Sequence, residues 1–442
     1  MAINMNSQGL LALNGVVIAA AMIMAARKYK TFFTPVTLFG AYFFVSSVLS
    51  PWLFLELKLL LVPKAAVNYT IVLSCLYFAA FAVAYLARLS PLRSPLEFLI
   101  RVSRPFAMEN GRVVSALAIG LLIAEFLALY LTLAVASGAG WMWISDTREA
   151  YQLYRAGVGV WWSLAQATLM LAFLMSLFRW GTTWPRVVLQ ALAFSSAAFF
   201  LGSKSFILAY PVIGAFYAHF VIRRIRVFTF TLCGALLLAG FVVLQLVQGT
   251  AETIADAIRY FDYFAYSARF LDSFRHHAFF WGQITLSDLW WYVPRGLYPA
   301  KPFVYGQNSL LRFLFPGFEA TVRRTGFTPG MLPWSMGYAD FGVPGVIAAG
   351  VLAGWISKAV FERFLLRRDL LSLALVVQLG FVNFIVLFSA APFPLFWGWL
   401  VIQGFFLWLL SAPAAAGPVR KAGQRLPPQV PAPGGILHAG GR

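Results

Sequence analysis

Residues 113–136 read VVSALAIGLLIAEFLALYLTLAVA, an apolar run interrupted by a single charged residue, Glu125. A second run, FTFTLCGALLLAGFVVLQLV over residues 228–247, contains no charged residue. A helix needs about 20 such residues to cross the hydrocarbon core of a bilayer. The strands of a membrane barrel alternate apolar and polar side chains, whereas these runs are continuous. The sequence therefore predicts an all-α polytopic membrane protein.

The composition of the whole chain agrees with this class. Apolar residues make up 61% of the chain and charged residues 11%, which is far from the range of soluble proteins. The net charge of +19 would suggest nucleic-acid binding if it belonged to a soluble basic domain. Most of the cations instead lie in short clusters beside the apolar runs, a pattern that sets topology. No nucleic-acid partner is indicated.

About eleven transmembrane helices are predicted, with ten or twelve as the alternatives. They lie near residues 10–26, 32–50, 69–87, 113–136, 159–178, 187–202, 205–222, 227–248, 337–357, 370–388 and 395–411. Basic residues fall in alternate connections, which the positive-inside rule assigns to the cytoplasm. This arrangement predicts an N-terminus outside, a C-terminus in the cytoplasm and an external loop between the eighth and ninth spans.

Residues 187–222 test this assignment of spans and topology, because basic residues flank them at both ends. One continuous helix over this stretch would be about 54 Å long, against a hydrocarbon core of about 30 Å. The chain must therefore reverse, and Gly202-Ser203-Lys204-Ser205 is the expected turn. This places Lys204 at the outer interface, where it either binds a ligand or snorkels to lipid headgroups.

Four regions follow from this pattern. They are an N-terminal helix bundle of about eight spans (1–248), a large external loop (249–336), C-terminal transmembrane helices (337–411) and a disordered cytoplasmic tail (412–442) rich in Pro, Gly and Ala. The loop is charged and aromatic, too polar to span the bilayer, so function is expected there. Short amphipathic helices are expected within it.

One polar stripe is predicted near the start of the loop, as a helix lying on the membrane. Its members recur at helical spacing: Arg259, Asp262, Tyr266, Arg269, Asp272 or Ser273, and His276. The alternative is a row of ordinary surface ion pairs. The neighbouring pair His276 and His277 is too small for a metal site, and no HExxH spacing occurs, so no metal or other cofactor is predicted.

Residues 294–302, PRGLYPAKP, hold two cations on a chain stiffened by proline. Arg295 and Lys301 suit phosphate oxygens; a proline-braced surface loop is the alternative. Further cations on the external side are Arg323 and Arg324. The nearby aromatic residues Trp290, Trp291 and Tyr298 would stack on sugars or form an interface belt.

The last element is GYADFGVPG over residues 337–345, which re-enters the membrane. Its glycines allow close helix approach. Asp340 stands near the mouth of a span, and a carboxylate in that position indicates function.

Three of these elements resemble the O-antigen polymerase (Wzy) family of oligosaccharide repeat-unit polymerases. PRGLYPAKP resembles the Pro-Arg…Pro-x-Lys-Pro element of the family's large external loop. GYADFGVPG resembles its Glu-x-Tyr-x-x-Phe-Gly-x-x-Gly element, although the carboxylate usual before the aromatic residue is not matched: Gly337 precedes Tyr338, and Asp340 comes two residues after it. GSKS, residues 202–205, resembles its Gly-Ser-Arg turn, with Lys204 in place of arginine.

The resemblance implies a GT-C-like, metal-independent glycosyltransferase in the bacterial inner (plasma) membrane with a periplasmic main loop. The donor would be a glycan on undecaprenyl diphosphate and the acceptor one lipid-linked repeat unit, with a chain-length regulator as a further partner. Candidate catalytic residues are Arg295, His276 and Asp340. Candidates for diphosphate binding are Lys204, Arg295, Lys301, Arg323, Arg324, Arg259 and Arg269, and for sugar stacking Trp290, Trp291, Tyr298 and Tyr338.

Three other functions stay open. A ligase that moves finished glycan from the same lipid carrier needs the same cations and topology. A transporter or flippase of a lipid-linked sugar needs polar residues along several spans, where this chain is mostly apolar. A scaffold subunit needs only a docking loop.

Overall fold

The structure, a computed structural model, describes residues 6–57, 62–87, 116–155, 157–202, 204–247, 253, 263–293, 298–315, 317–325, 330–368 and 370–377. Within these ranges all regular secondary structure is helical. Six of the described helices are long and apolar enough to cross a membrane. The prediction of an all-helical membrane protein is therefore confirmed for this part of the chain. The predicted span at 395–411 and the tail 412–442 lie outside the described residues.

The six long helices are α1 (Ser7–Tyr29), α2 (Pro35–Glu56), α3 (Lys64–Leu86), α4 (Ala116–Ala136), α7 (Gly159–Trp180) and α14 (Ser335–Arg367). The other helices of the first part are α5 (Met142–Ser145), α6 (Thr147–Leu153), α8 (Trp184–Phe199), α9 (Lys204–Tyr217, continued by a π-turn over Ala218–Ile222) and α10 (Val227–Val247). The later ones are α11 (Tyr263–Phe274), α12 (Gln283–Ser287), α13 (Phe318–Thr325) and α15 (Leu370–Leu375). Two 3-10 helices cover Asp288–Tyr292 and Gly306–Phe313.

Helices α3 and α14 form the most closely packed pair of the bundle. A Cβ atom built on Gly350 would lie 2.5 Å from the carbonyl oxygen of Tyr77, and one on Gly354 would lie 2.3 Å from that of Phe81. Without side chains at these two positions the helix backbones touch, which is how small residues join helices in membranes. Helix α1 also packs on α3, and α4 packs on α7.

Cations gather where α1, α3 and α14 meet at one end of the bundle. Lys28 Nζ donates to the carbonyl oxygen of Leu86 at 3.0 Å, and Lys358 Nζ donates to that of Ala87. Both lysines thus bind the last carbonyls of α3, the negative end of its helix dipole. We call this the basic end of the bundle; it also holds Arg27, Lys30, Arg224 and Arg226.

Helices α8 and α9 form the predicted reversal. Ser195 Oγ donates to the carbonyl oxygen of Ile207 at 2.9 Å, and a Cβ on Gly214 would lie 3.2 Å from Val187. These contacts run antiparallel, so the chain reverses direction within residues 187–222, as predicted. The turn lies between Phe199 and Lys204, which begins α9. We call the end of the bundle that carries this turn, opposite the basic end, the loop end.

Helix α11 corrects one prediction. Of its predicted polar stripe, Arg269 is exposed on the helix and His276 is exposed two residues beyond its end, while Arg259 and Asp262 lie outside the described residues. Its apolar face, however, lies against protein: Phe264, Phe270 and Phe274 are buried, and α11 packs on α3. The helix was expected to rest on the bilayer surface. It packs on the bundle instead because distant aromatic side chains, such as Phe313 against Phe274, supply an apolar surface there.

Candidate functional site

Helix α14 begins with a sharp elbow at the loop end. Gly342 adopts φ 66° and ψ −146°, a conformation that favours glycine. A Cβ built on Gly345 would lie 2.0 Å from the carbonyl oxygen of Gly337. In one straight helix these two residues would be about 12 Å apart along the axis. The stretch GYADFGVPG therefore folds back on itself before the helix continues toward the basic end.

Asp340 holds the loop to this elbow. Its side chain is fully buried and accepts hydrogen bonds from Ile284 N at 3.0 Å, Thr285 N at 2.8 Å and Thr285 Oγ1 at 2.6 Å. The backbone N–H of Trp281 donates to the Asp340 carbonyl oxygen at 3.0 Å. A catalytic carboxylate needs access to substrate, but the Asp340 side chain is buried and bonded to Ile284 and Thr285. The geometry therefore assigns Asp340 a structural role, joining the loop to α14.

Asp340→Asn is expected to lower the thermal stability of the purified protein. The amide oxygen of asparagine can replace only one of the two carboxylate oxygens, so its NH₂ group would face either the Ile284 N–H or the two Thr285 donors. The expected loss is about 2 kcal/mol, the usual value for charge-assisted bonds in a buried site. Asp146→Asn is the matched control, since Asp146 is exposed, caps Glu149 N, and asparagine caps helices equally well. Equal melting temperatures for both variants would contradict the role assigned to Asp340.

Helix α6 lies over the turn that precedes Lys204. Gly202 adopts φ 70°, and a Cβ on it would lie 2.4 Å from the carbonyl oxygen of Thr147. Arg148 donates to the Gly202 carbonyl oxygen at 3.2 Å, and Trp162 Nε1 donates to that of Leu201 at 2.9 Å. The position of Lys204 at the start of α9 is thus held by an arginine and a tryptophan.

Two arginines flank this turn together with one tyrosine. Arg155 donates to Tyr151 Oη at 2.6 Å and its guanidinium lies 4.3 Å from the Tyr151 ring centroid. The guanidinium of Arg148 lies 5.4 Å from the same centroid. Such cation–π contacts hold long side chains in place. The result is two positioned positive charges at the loop end.

Helix α6 also contacts α13, the helix that carries Arg323 and Arg324. The backbone thereby brings cations from three distant parts of the chain to one place. We call this set the loop-end cation cluster: Arg148, Arg155, Lys204, Arg323 and Arg324. For Lys204, Arg323 and Arg324 the structure describes the backbone position.

Arg148 and Arg155 were not among the residues predicted from the sequence. A signal for them exists: Asp146 is a helix N-cap residue, and Arg148, Tyr151 and Arg155 follow at spacings of three and four, which places them on one helix face. The sequence prediction places residues 137–158 in the connection between the spans at 113–136 and 159–178 and assigns them no function.

The second part of the loop end surrounds the predicted PRGLYPAKP element. Lys301 is 9% exposed, and its Nζ lies 4.9 Å from the Tyr305 ring centroid. Trp290 and Tyr298 stack on each other with centroids 5.2 Å apart. Tyr338 packs among other aromatic rings, including Tyr69 at 5.9 Å. These rings pack against one another, and Tyr298 is more exposed than Trp290.

Some of the remaining predicted residues lie outside the described part of the chain, and one is described by its backbone alone. Arg259 and Arg295 lie outside the described residues, and for Trp291 the structure describes the backbone position. Among the residues that are described, no group of three His, Cys, Asp or Glu side chains is placed to hold a metal ion. The exposed Trp281, beside Phe341 at the elbow, was not among the residues predicted from the sequence.

No protein-family model, curated protein or solved structure matches this chain.

Proposed function

We propose that the protein is a polytopic membrane glycosyltransferase, with about eleven spans and a GT-C-like architecture. It polymerises oligosaccharide repeat units carried on undecaprenyl diphosphate at the outer face of the bacterial inner membrane. The observation that carries this proposal is the loop-end cation cluster. Its members come from α6 and the residue Arg155 just after it, from the start of α9 and from α13, so positive charge is assembled from remote stretches.

The two ends of the bundle support the orientation. The positive-inside rule places the basic end in the cytoplasm, which puts the loop end outside. A lipid-linked donor presents its diphosphate at the headgroup level of the outer leaflet, the level of the turn before Lys204. Arginine binds phosphate oxygens through two parallel hydrogen bonds, and a half-buried guanidinium loses less entropy on binding than a mobile one.

Glycosyl transfer in this site follows from the charges. A sugar hydroxyl of the acceptor attacks the anomeric carbon of the donor, forming the new C–O bond. The bond from that carbon to the diphosphate oxygen breaks, and the lipid diphosphate leaves with the electron pair. The cations, among which we place Arg295 and Lys301, stabilise that developing charge. His276, exposed two residues beyond the end of α11, is our candidate for accepting the hydroxyl proton.

The test is an assay of the purified protein with undecaprenyl-diphosphate-linked repeat units. A ladder of products that lengthens with time supports the proposal. A single transfer to a lipid A core acceptor would identify a ligase instead. Movement of lipid-linked sugar across vesicles without any new glycosidic bond would identify a transporter.

Arg155→Gln is expected to slow chain lengthening about ten-fold, because one of several fixed cations near the leaving group is lost. Arg275→Gln is the matched control, since Arg275 is an exposed cation of the loop end that pairs with Asp272 outside the cluster. A rate for Arg155→Gln equal to that of Arg275→Gln would remove Arg155 from the site.

A further inference from the structure

A cavity of about 400 Å³ opens at the basic end, between the C-terminus of α1 and the start of α10. Its lining includes four cations, Arg27, Lys30, Arg224 and Arg226, and no acidic residue. All four cations are exposed. The cavity lies at the opposite end of the bundle from the loop-end cation cluster, so the proposed glycosyl transfer does not account for it.

Hydrogen bonds shape the floor of this cavity. Ile225 N donates to His219 Nδ1 at 2.9 Å, so the neutral imidazole carries its proton on Nε2. His219 Nε2 therefore donates to Thr31 Oγ1, 2.7 Å away. The backbone N–H of Phe33 also donates to Thr31 Oγ1, at 3.1 Å. With two bonds accepted, the Thr31 hydroxyl has its own proton to donate to an acceptor in the cavity.

The wall of the cavity is apolar and exposed. Ile23 of α1 is 48% exposed and Val227 of α10 is 45% exposed, and both residues line the cavity. An exposed apolar side chain on a membrane helix lies against acyl chains. Val227 is also the first residue of α10, a helix with no acidic residue in its first turn. The N-terminus of a helix adds positive potential.

We propose that this cavity binds the phosphate group of an anionic phospholipid. The phosphate would accept from the cationic rim and from the Thr31 hydroxyl, while an acyl chain lies along Ile23 and Val227. Basic pockets between membrane helices on the cytoplasmic side suit such headgroups. A soluble phosphate would use the same donors, but it would gain nothing from the apolar wall. The wall is why we assign the phosphate to a lipid.

The test measures lipid binding to the full-length protein in detergent by native mass spectrometry. Phosphatidylglycerol is expected to remain bound in preference to phosphatidylcholine. The double variant Arg224→Gln/Arg226→Gln should weaken phosphatidylglycerol binding about 25-fold, from about five-fold for each cation at a membrane surface. Arg367→Gln/Arg368→Gln removes two charges at the end of α14, outside the cavity, and should leave binding unchanged.

Competition on the wild-type protein identifies the source of the phosphate and needs no variant. Glycerol 3-phosphate and inorganic phosphate carry the anion without acyl chains, and neither should displace phosphatidylglycerol at equal concentration. Displacement by either one would overturn the lipid assignment. Equal binding of the two lipids, or equal losses in the two double variants, would overturn the site itself.

Discussion

An Arg295→Ala variant is expected to insert into the membrane normally and to form no glycan longer than one repeat unit. The leaving group of the proposed reaction is a lipid diphosphate, whose charge grows as the bond to the sugar breaks. Removing one group that stabilises such charge typically slows a reaction about 10²–10³-fold. Over the many transfers that build one chain, a loss of this size abolishes long products.

The described neighbours of Arg295 support its choice. Trp290 and Tyr298, on either side of it in the sequence, stack on each other, and Lys301 is nearly buried against Tyr305. The described residues on both sides of Arg295 in the sequence therefore have packed side chains.

The measurement is product length on a gel, normalised to the amount of protein in the membrane. Arg295→Lys keeps the charge but loses the paired hydrogen bonds of the guanidinium, so it should recover part of the activity. Arg312→Gln is the matched control, an exposed cation of the same loop near Glu319. Long glycan chains from Arg295→Ala at normal protein level would remove Arg295 from the mechanism.

Gly345→Ala is expected to prevent the elbow of α14 from closing. The new methyl group would lie 2.0 Å from the carbonyl oxygen of Gly337 and 2.7 Å from its carbonyl carbon. Because both are backbone atoms, no side-chain rotation relieves the contact. Opening the elbow would also break the bonds from Asp340 to Ile284 and Thr285, so we expect a loss of about 3 kcal/mol or more.

The matched control for this prediction is Gly120→Ala. Gly120 is also a helix glycine, in α4, and a Cβ there meets no atom within 4 Å. Both variants are compared by the yield of monodisperse protein and by its melting temperature in detergent. If Gly345→Ala has the same melting temperature as Gly120→Ala and the wild type, the close contact at the elbow is not required for stability.

Much of the fold could be predicted from the sequence because bilayer constraints act locally. Long apolar runs indicate spans wherever they occur, and the cations at both ends of 187–222 require a reversal near Gly202. The elbow at Gly342 could not be predicted in this way. Residues 337–357 are apolar enough to form one span, and the break depends on contact between two glycine backbones in space.

The candidate site was predictable only in part, because it depends on contacts between residues that are distant in the sequence. Asp340 was recognised as an unusual carboxylate, but its partners Ile284 and Thr285 lie 56 and 55 residues away in the chain. Nothing in the local sequence indicates those donors. Arg148 was missed because its importance comes from contact with Gly202, 54 residues later. Spacing identifies residue types suited to a chemistry, whereas tertiary contacts decide which of them meet.

Helix α8 has a consequence for the surrounding membrane. Its 16 residues give a length of about 24 Å, about 6 Å short of the usual acyl region of a bilayer. In the proposed eleven-span topology α8 crosses the bilayer, so lipids beside the α8–α9 hairpin would have to shorten or tilt, which would thin the leaflet above the turn. In the proposed reaction, the polar head of a polyprenyl carrier would then reach the protein at this thinned site while its chain stays in the bilayer.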